Sequence, residues 1–304
     1  MNQVKENVRS LMERLQFYPE AVQVLAEALD RIAADRVASA WLTRLITQYE
    51  ENEKCAYKQM LRDARAMGEA LGIHAYTAEL LLFLCLGEKL RERYIERGLD
   101  EQLFYDAMAD LRYKLEECRL VQGQVGSFVA SWFAGFFDMT RFALGRLQFE
   151  MVTLKKDFTM GSVTVPAGSR AINMHIPRTG TRLNHDEVLA SYRRAAEMFA
   201  SEFADGPVLF TCSSWLLYPW NSTILSPTSN LLAFYRDFCI VDSGEYGDYG
   251  ETWRLFDCKY TGDPAALPQE TSLRRAYAER IARGEPLGWG RGLFFYRDGQ
   301  VCHE

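Results

Sequence analysis

Apolar positions in the first part of the chain recur at helical spacing. Between Val37 and Tyr49, the residues Val37, Trp41, Leu42, Leu45, Ile46 and Tyr49 fall on one side, with Arg44, Gln48 and Glu50 on the other. This is the i, i+3, i+4 pattern of an amphipathic helix. The same reading predicts helices near 2–15, 20–32, 35–50, 53–71, 76–97 and 101–120. Gly72 and Gly98 stand where helices stop, and Thr77 with Glu79 and Leu80 opens the next. The pattern predicts a bundle of helices built on Leu, Ala and aromatic side chains.

Beyond Val121-Gln-Gly-Gln-Val-Gly-Ser127, the best linker, the texture changes. The run Phe128 to Leu144 is apolar on nearly all sides and predicts a helix buried on more than one face. Strands are expected at Arg146–Leu154, Ser162–Val165 and Arg170–Ile176, then a helix over about 185–203 capped by Asn184 or Thr181. Further strands are expected at Pro207–Cys212, Phe238–Val241, Trp253–Phe256 and Gly292–Arg297. Helices are expected near 228–236 and over Thr271–Arg283. Gly244–Gly250 reads as a loop, and Gly288-Trp-Gly-Arg-Gly292 as a turn into the last strand. The fold class is α+β: a helical N-terminal domain over residues 1–122, then a mixed, mostly antiparallel sheet domain with flanking helices over 123–304, with one crossover unit in its middle.

Proline usage agrees. Of nine prolines only Pro19 precedes residue 165, so helices can run uninterrupted in the first half and not in the second. Apolar residues make up 48% of the chain, charged residues 25%, and the net charge is −6. No basic stripe of the kind that neutralises phosphates is present, which argues against a nucleic-acid partner. The longest strongly apolar run, Leu80 to Leu86, is far short of the ~20 residues of a membrane span, and the charged start of the chain is not a signal peptide. The seven cysteines are dispersed without a C-x-x-C pair, and the four histidines are dispersed too. The expectation is a cytoplasmic protein with reduced thiols and no metal site.

Five places can carry chemistry. The turn His175-Ile-Pro-Arg-Thr-Gly-Thr-Arg-Leu-Asn184 opens a helix, where backbone N–H groups, Arg178 and Arg182 suit an anionic phosphate; it also reads as an ordinary capped turn with two solvated arginines. Glu150 lies on the strand face opposite Leu147, Phe149 and Met151. Open to water it is a surface residue; covered, it is a desolvated carboxylate suited to general-base work. His175 ends the next strand and reads as a hydrogen-bonded structural residue or as a second base. Ser213 and Ser214 follow a strand without the glycines of a nucleophile elbow, so a helix cap fits better than a hydrolytic nucleophile. Tyr235 reads as a core tyrosine or as an acid.

The stretches Gly145-Arg-Leu-Gln-Phe-Glu150, His175-Ile-Pro177, Ser213-Ser-Trp-Leu-Leu217 and Ser229-Asn-Leu-Leu-Ala-Phe234, in this order and spacing, resemble a bacterial two-domain acyltransferase family. Its members join a helical N-acyltransferase N-terminal domain to a C-terminal domain like the Gcn5-related N-acetyltransferases (GNAT). The resemblance implies acyl transfer from acyl-CoA to an amine of an unassigned acceptor, without a metal. It implies that the strand Arg170–Ile176 splays from its neighbour, and that backbone groups of Asn173, Met174 and His175 hold the thioester carbonyl. The pyrophosphate would lie on Arg178, Thr179, Gly180, Thr181 and Arg182. Glu150 or His175 would act as base, and Tyr235 would protonate the leaving thiolate. The loop has one glycine where GNAT loops carry a fuller glycine pattern, which leaves a second reading: a non-catalytic GNAT-like sensor of a small metabolite, or an interaction module.

Overall fold

A computed structural model describes residues 1–52, 54–203 and 206–303. Packing divides the chain into two compact units: Met1–Phe142 with Arg178–Gly180, and Ala143–Pro177 with Thr181 onward.

The first unit is a helical bundle of α1 (Asn2–Arg14), α2 (Pro19–Ala34), α3 (Arg36–Glu51), α4 (Tyr57–Ala70), α5 (Ala75–Glu96) and α6 (Glu101–Gln122). Each matches an expected helix within a few residues; the start expected for α4, residue 53, lies outside the described residues. Local chemistry sets the ends. Asp35 accepts from the Ala38 N–H at 2.8 Å and Asp100 from the Gln102 N–H at 2.8 Å, each satisfying a donor the helix leaves open. Gly123 ends α6 in the left-handed region at φ 65°, where glycine carries no Cβ penalty. The apolar run in α5 is buried from Leu80 through Leu86, and α5 packs against α1, α2, α3, α4 and α6. A helix apolar all round is the one a bundle closes around.

The helix expected over Phe128–Leu144 does not form. The chain makes a 3₁₀ turn at Ala130–Phe133 and a single-turn α7 (Ala134–Phe137), then enters strand β1 (Arg141–Leu144). Met139 adopts φ 53°, and Thr140 donates to the Gly135 carbonyl through its N–H at 3.0 Å and its hydroxyl at 3.1 Å, reversing the chain. The aromatic density is spent on tertiary packing. Phe133 and Phe137 lie 5.2 and 4.8 Å from the Phe83 ring, and the Tyr49 hydroxyl donates to the Phe137 carbonyl at 2.9 Å.

The second unit continues with β2 (Leu147–Thr153), β3 (Phe158–Met160), β4 (Val163–Val165), β5 (Arg170–His175), α8 (His185–Met198), β6 (Val208–Ser214), a 3₁₀ turn at Trp215–Leu217, α9 (Asn221–Ile224), α10 (Asn230–Arg236), β7 (Cys239–Glu245), α11 (Trp253–Phe256), α12 (Ser272–Ala282), β8 (Gly288–Arg297) and β9 (Gln300–Cys302). The main sheet has the order β1-β2-β5-β6-β8-β7, with β9 on β8, and β3 pairs with β4 as a separate hairpin. β5 and β6 are parallel, joined by the α8 crossover, while β2–β5, β6–β8 and β7–β8 are antiparallel. On one face Tyr192 of α8 stacks on Phe210 and Phe294, whose rings lie 4.9 Å apart. A second core of Leu154, Phe158, Met160, Val165, Ala171, Leu209 and Leu293 includes the β3–β4 hairpin.

Three further local expectations change. Trp253–Phe256 is helical, not a strand: Asp257 closes it at φ 57° with its N–H on the Trp253 carbonyl, and Arg274 donates to the Leu255 carbonyl and to Asp257 at 2.9 and 2.7 Å. The segment Gly288–Gly292 is strand rather than turn. Its glycines serve close approach: a Cβ on Gly290 would stand 1.9 Å from the Leu217 carbonyl oxygen, and one on Gly292 would stand 2.5 Å from Phe238 Cβ. β7 extends to Glu245 past a bulge between Ile240 and Asp242, into the stretch expected to loop.

Candidate functional site

The sequence motifs meet at the β2–β5–β6 part of the sheet. On β2 and β5, Glu150 is directly opposite Asn173 and Gln148 opposite His175. Alternation then puts Glu150, Asn173 and His175 on one face, while Met174, 1% exposed, points to the other and is core. His175 Nε2 lies 2.8 Å from Glu150 Oε1, and Asn173 Nδ2 lies 3.3 Å from the same oxygen and 3.1 Å from His175 Nε2. The Glu150 and His175 side chains are 20% and 23% exposed. The face bearing Glu150 is therefore largely covered, the alternative under which this carboxylate has chemistry to do.

The arrangement holds one proton in two ways. With the proton on His175 Nε2, it donates to the Glu150 carboxylate, Asn173 supports the same oxygen, and Nδ1 carries the ring lone pair. With the proton on Glu150, the carboxyl donates to Nε2. Either form is a hydrogen-bonded carboxylate–imidazole pair.

Beside it the sheet opens. β5 and β6 are laddered only at Ile172–Phe210 and Asn173–Thr211 among the described residues, yet β5 runs on to His175 and β6 to Ser214. The last residues of β6 remain paired with β8, Ser214 opposite Gly290. Met174 and His175 thus extend past the parallel ladder.

The start of β2 is tied to the loop after β5. Gly145 takes φ 81° against Ser191 of α8, where a Cβ would stand 2.8 Å from the hydroxyl oxygen. That oxygen accepts from the Arg146 N–H at 2.8 Å, and Arg146 Nη1 donates to the Pro177 carbonyl at 3.0 Å. This is the physical link between the Gly145–Glu150 and His175–Pro177 motifs, and sequence reasoning did not find it. The loop itself, Arg178 to Arg182, has no regular structure; Gly180 turns it at φ 77°, and Thr181 and Arg182 are exposed. The first amides of α8 are taken by the expected Asn184 cap, as the capped-turn reading of this loop has it. Asn184 Oδ1 accepts from the N–H groups of Asp186 and Glu187 at 2.9 and 3.4 Å, and both residues place carboxylates in the first turn.

Tyr235 is on α10, half-buried; burial raises its hydroxyl above the usual tyrosine value, opposed by a hydrogen bond with Ser222. Ser214 Oγ accepts from the Leu216 N–H at 3.2 Å, capping the 3₁₀ turn as expected of this pair.

A polar cluster to which the sequence assigned no role lies at the C-cap of α10. Asp237, 8% exposed, takes His185 Nε2 at 3.0 Å on both oxygens and the Tyr192 hydroxyl at 3.1 Å, while His303 Nε2 sits 3.0 Å from its backbone carbonyl. Burial raises the Asp237 carboxyl, and His185 opposes the rise. The residues are far apart in sequence, so only the fold reveals them. Asp237→Ala is expected to cost about 1–3 kcal/mol by leaving the Tyr192 hydroxyl unpartnered in the core; the urea midpoint measures it, and an unchanged midpoint would contradict this role.

Among the described residues, no helix is long and apolar enough to cross a membrane, no group of acidic, His or Cys side chains could hold a metal ion, and the cysteines are free thiols.

Comparison with known proteins gives the same architecture. Solved acyltransferases share the fold over nearly the whole chain. A mutant acyltransferase in complex with octanoyl-CoA is 22% identical, with a TM-score of 0.74, covering 96% of this chain and 88% of its own. An acyltransferase in complex with decanoyl-CoA and teicoplanin is also 22% identical, with a TM-score of 0.73 and the same coverage. No curated protein matches the chain. Residues 6–139 match the N-acyltransferase N-terminal domain and residues 142–294 the GNAT-like C-terminal domain, and the chain therefore belongs to the acyltransferase family that joins these two domains.

Proposed function

We propose that the protein transfers an acyl group from acyl-CoA to an amine. The observation that carries this reading is the Glu150–His175 pair beside the point where β5 and β6 part. In a GNAT-like domain the gap between these strands receives the thioester. Acyl-CoA complexes of structures with the same fold support the donor; one of them holds teicoplanin beside decanoyl-CoA, and the acceptor here is taken only as an amine.

The steps balance as follows. The amine nitrogen attacks the thioester carbonyl carbon, and its proton passes to the Glu150–His175 unit. Backbone N–H groups of the Asn173–His175 segment, whose last two residues pass the parallel ladder, stabilise the oxyanion. The C–S bond breaks, the amide forms, and Tyr235, kept protonated at neutral pH, gives its proton to the CoA thiolate. Arg178 and Arg182 flank the pyrophosphate, with the loop amides of Thr179, Gly180 and Thr181. Because Asn184 occupies the first amides of α8, the charge on these arginines carries more of the phosphate binding than the helix terminus does.

Titration with CoA, acetyl-CoA and medium-chain acyl-CoA tests the donor. Saturable heat is expected, with a rise in melting temperature set by binding to the folded chain. No heat and no shift across that panel would refute the donor assignment. Tyr235→Phe is expected to slow turnover while leaving acyl-CoA affinity unchanged; unchanged turnover would remove Tyr235 as the acid.

A further inference from the structure

The run Gly288-Trp-Gly-Arg-Gly292, to which the transfer reaction gives no role, has two different faces. Strand alternation puts its glycines on one of them, where Leu217, Tyr218 and Phe238 approach closely. Trp289 and Arg291 belong to the other. Register identifies that face. Ser213 is opposite Arg291, Thr211 is opposite Leu293, Asn173 pairs with Thr211, and Glu150 is opposite Asn173. Paired residues share a face, so Ser213, Trp289 and Arg291 stand on the face that carries Glu150, Asn173 and His175. They also stand toward the end where β5 and β6 part, because the Ser213–Arg291 pair lies past Thr211, where the parallel ladder stops among the described residues.

These three side chains hold unspent hydrogen-bond donors. Among the described residues, no hydrogen bond or ion pair engages the Ser213 hydroxyl, the Arg291 guanidinium or the Trp289 indole N–H. Ser213 is exposed, and the other two are half-buried. Both larger groups are held in place. The Trp289 indole lies over Gly244, where a Cβ would stand 2.9 Å from Nε1 and 3.1 Å from Cε2. The Arg291 guanidinium carbon lies 5.5 Å from the centre of the Phe158 ring. Asp242, opposite Arg291 on β7, is taken by Lys156 at 2.8 Å, so these three charges leave a net positive one. A guanidinium and an indole N–H donate and cannot accept, and a planar carboxylate matches the guanidinium fork. Neighbouring strands lie about 4.8 Å apart. Ser213 and Arg291 thus stand about one and two spacings from β5, within reach of a group a few bonds from an amine at Glu150 and His175.

We propose that Ser213, Trp289 and Arg291 form an acceptor subsite for a carboxylate, so that the preferred acceptor is an amine that also carries a carboxylate; its role rests on the transfer reaction above, its binding on these residues alone. Titration of the full chain with ε-aminocaproate and its uncharged counterpart ε-aminocaproamide tests it. Calorimetry reads the affinities, and proton–nitrogen NMR reads the Trp289 indole N–H, assigned by its loss in Trp289→Phe. The carboxylate is expected to bind about tenfold more tightly, the worth of one hydrogen bond to a charged group, and to shift the Trp289 signal. Arg291→Gln is expected to bring the two amines near parity and Ser213→Ala to reduce the preference, both without changing acyl-CoA affinity. Ser213 is exposed, so its variant reads the subsite without disturbing the fold. Equal binding of the two amines to the parent, a preference undiminished by either substitution, or an unmoved Trp289 signal would overturn the proposal. So would a loss of acyl-CoA affinity in Arg291→Gln, since the guanidinium would then hold a phosphate of the donor. A carboxylate preference carried by Arg291 while no acyl-CoA reacts would keep the subsite and refute the reaction instead.

Discussion

Glu150→Gln is expected to lower the rate of acyl transfer by about 10²–10⁴-fold, the usual worth of a positioned general base, with acyl-CoA affinity unchanged. Glutamine keeps the size and the hydrogen-bonding reach of glutamate, so the contacts with Asn173 Nδ2 and His175 Nε2 have a geometric replacement. It cannot take up a proton. If the pair acts as one unit, His175→Gln causes a loss of similar size, and the double variant is little slower than either single one, as for residues that work together. Independent roles would instead multiply the losses. Single-turnover rates with saturating acyl-CoA separate these outcomes, because they read the chemical step without product release. A Glu150→Gln protein with full activity would exclude Glu150 as the base.

The second large effect is on folding. Gly290→Ala is expected to destabilise the protein by about 3 kcal/mol or more, at the severe end for single substitutions. The new methyl would stand 1.9 Å from the Leu217 carbonyl oxygen and 3.2 Å from Leu217 Cβ. The oxygen belongs to backbone, and β8 is held between β6 and β7, so neither side can yield cheaply. Gly247→Ala is the matched control: no neighbour lies within 4 Å of its Cβ position, and its effect should stay within about 0.5 kcal/mol. Urea unfolding of the two variants against the parent reads the difference. Equal midpoints would mean that the glycines of β8 serve as turn residues and not as points of close approach.

That contrast shows where sequence reasoning succeeds and where it fails. The helices of the first unit were legible because 3.6-residue periodicity, glycine stops and a nearly all-apolar α5 point the same way. The crossover at β5–α8–β6 was legible from the change of period and from Asn184 as a cap. Phe128–Leu144 misled because its composition is that of a buried helix, while its geometry is set by partners distant in sequence, Tyr49 and Phe83. Trp253–Phe256 is mostly apolar and aromatic like a short strand, yet four residues are few enough for Asp257 and Arg274 to decide the backbone. The glycines of 288–292 carry two meanings in sequence, turn or close approach, and only the neighbours at Leu217 and Phe238 separate them.

The candidate site divides in the same way. Glu150 and His175 could be picked out singly, one by strand alternation and one by its place at a strand end. Their 2.8 Å contact depends on the β2–β5 register, which a sequence does not state. Asn173 was selected for its backbone, and the structure adds its side chain to the pair. Arg146 holding the Pro177 carbonyl and Asp237 holding His185 and Tyr192 had no local signature, since each joins residues 31 or more positions apart.

The most direct test of acyl transfer is the release of free CoA thiol from acyl-CoA, followed with and without a mixture of primary amines. Slow release is expected from the protein and acyl-CoA alone, with release strongly stimulated by amines and an amide product in equal amount to the thiol. Release of thiol at the same rate without amine, or no release with any acyl-CoA and amine, would contradict it.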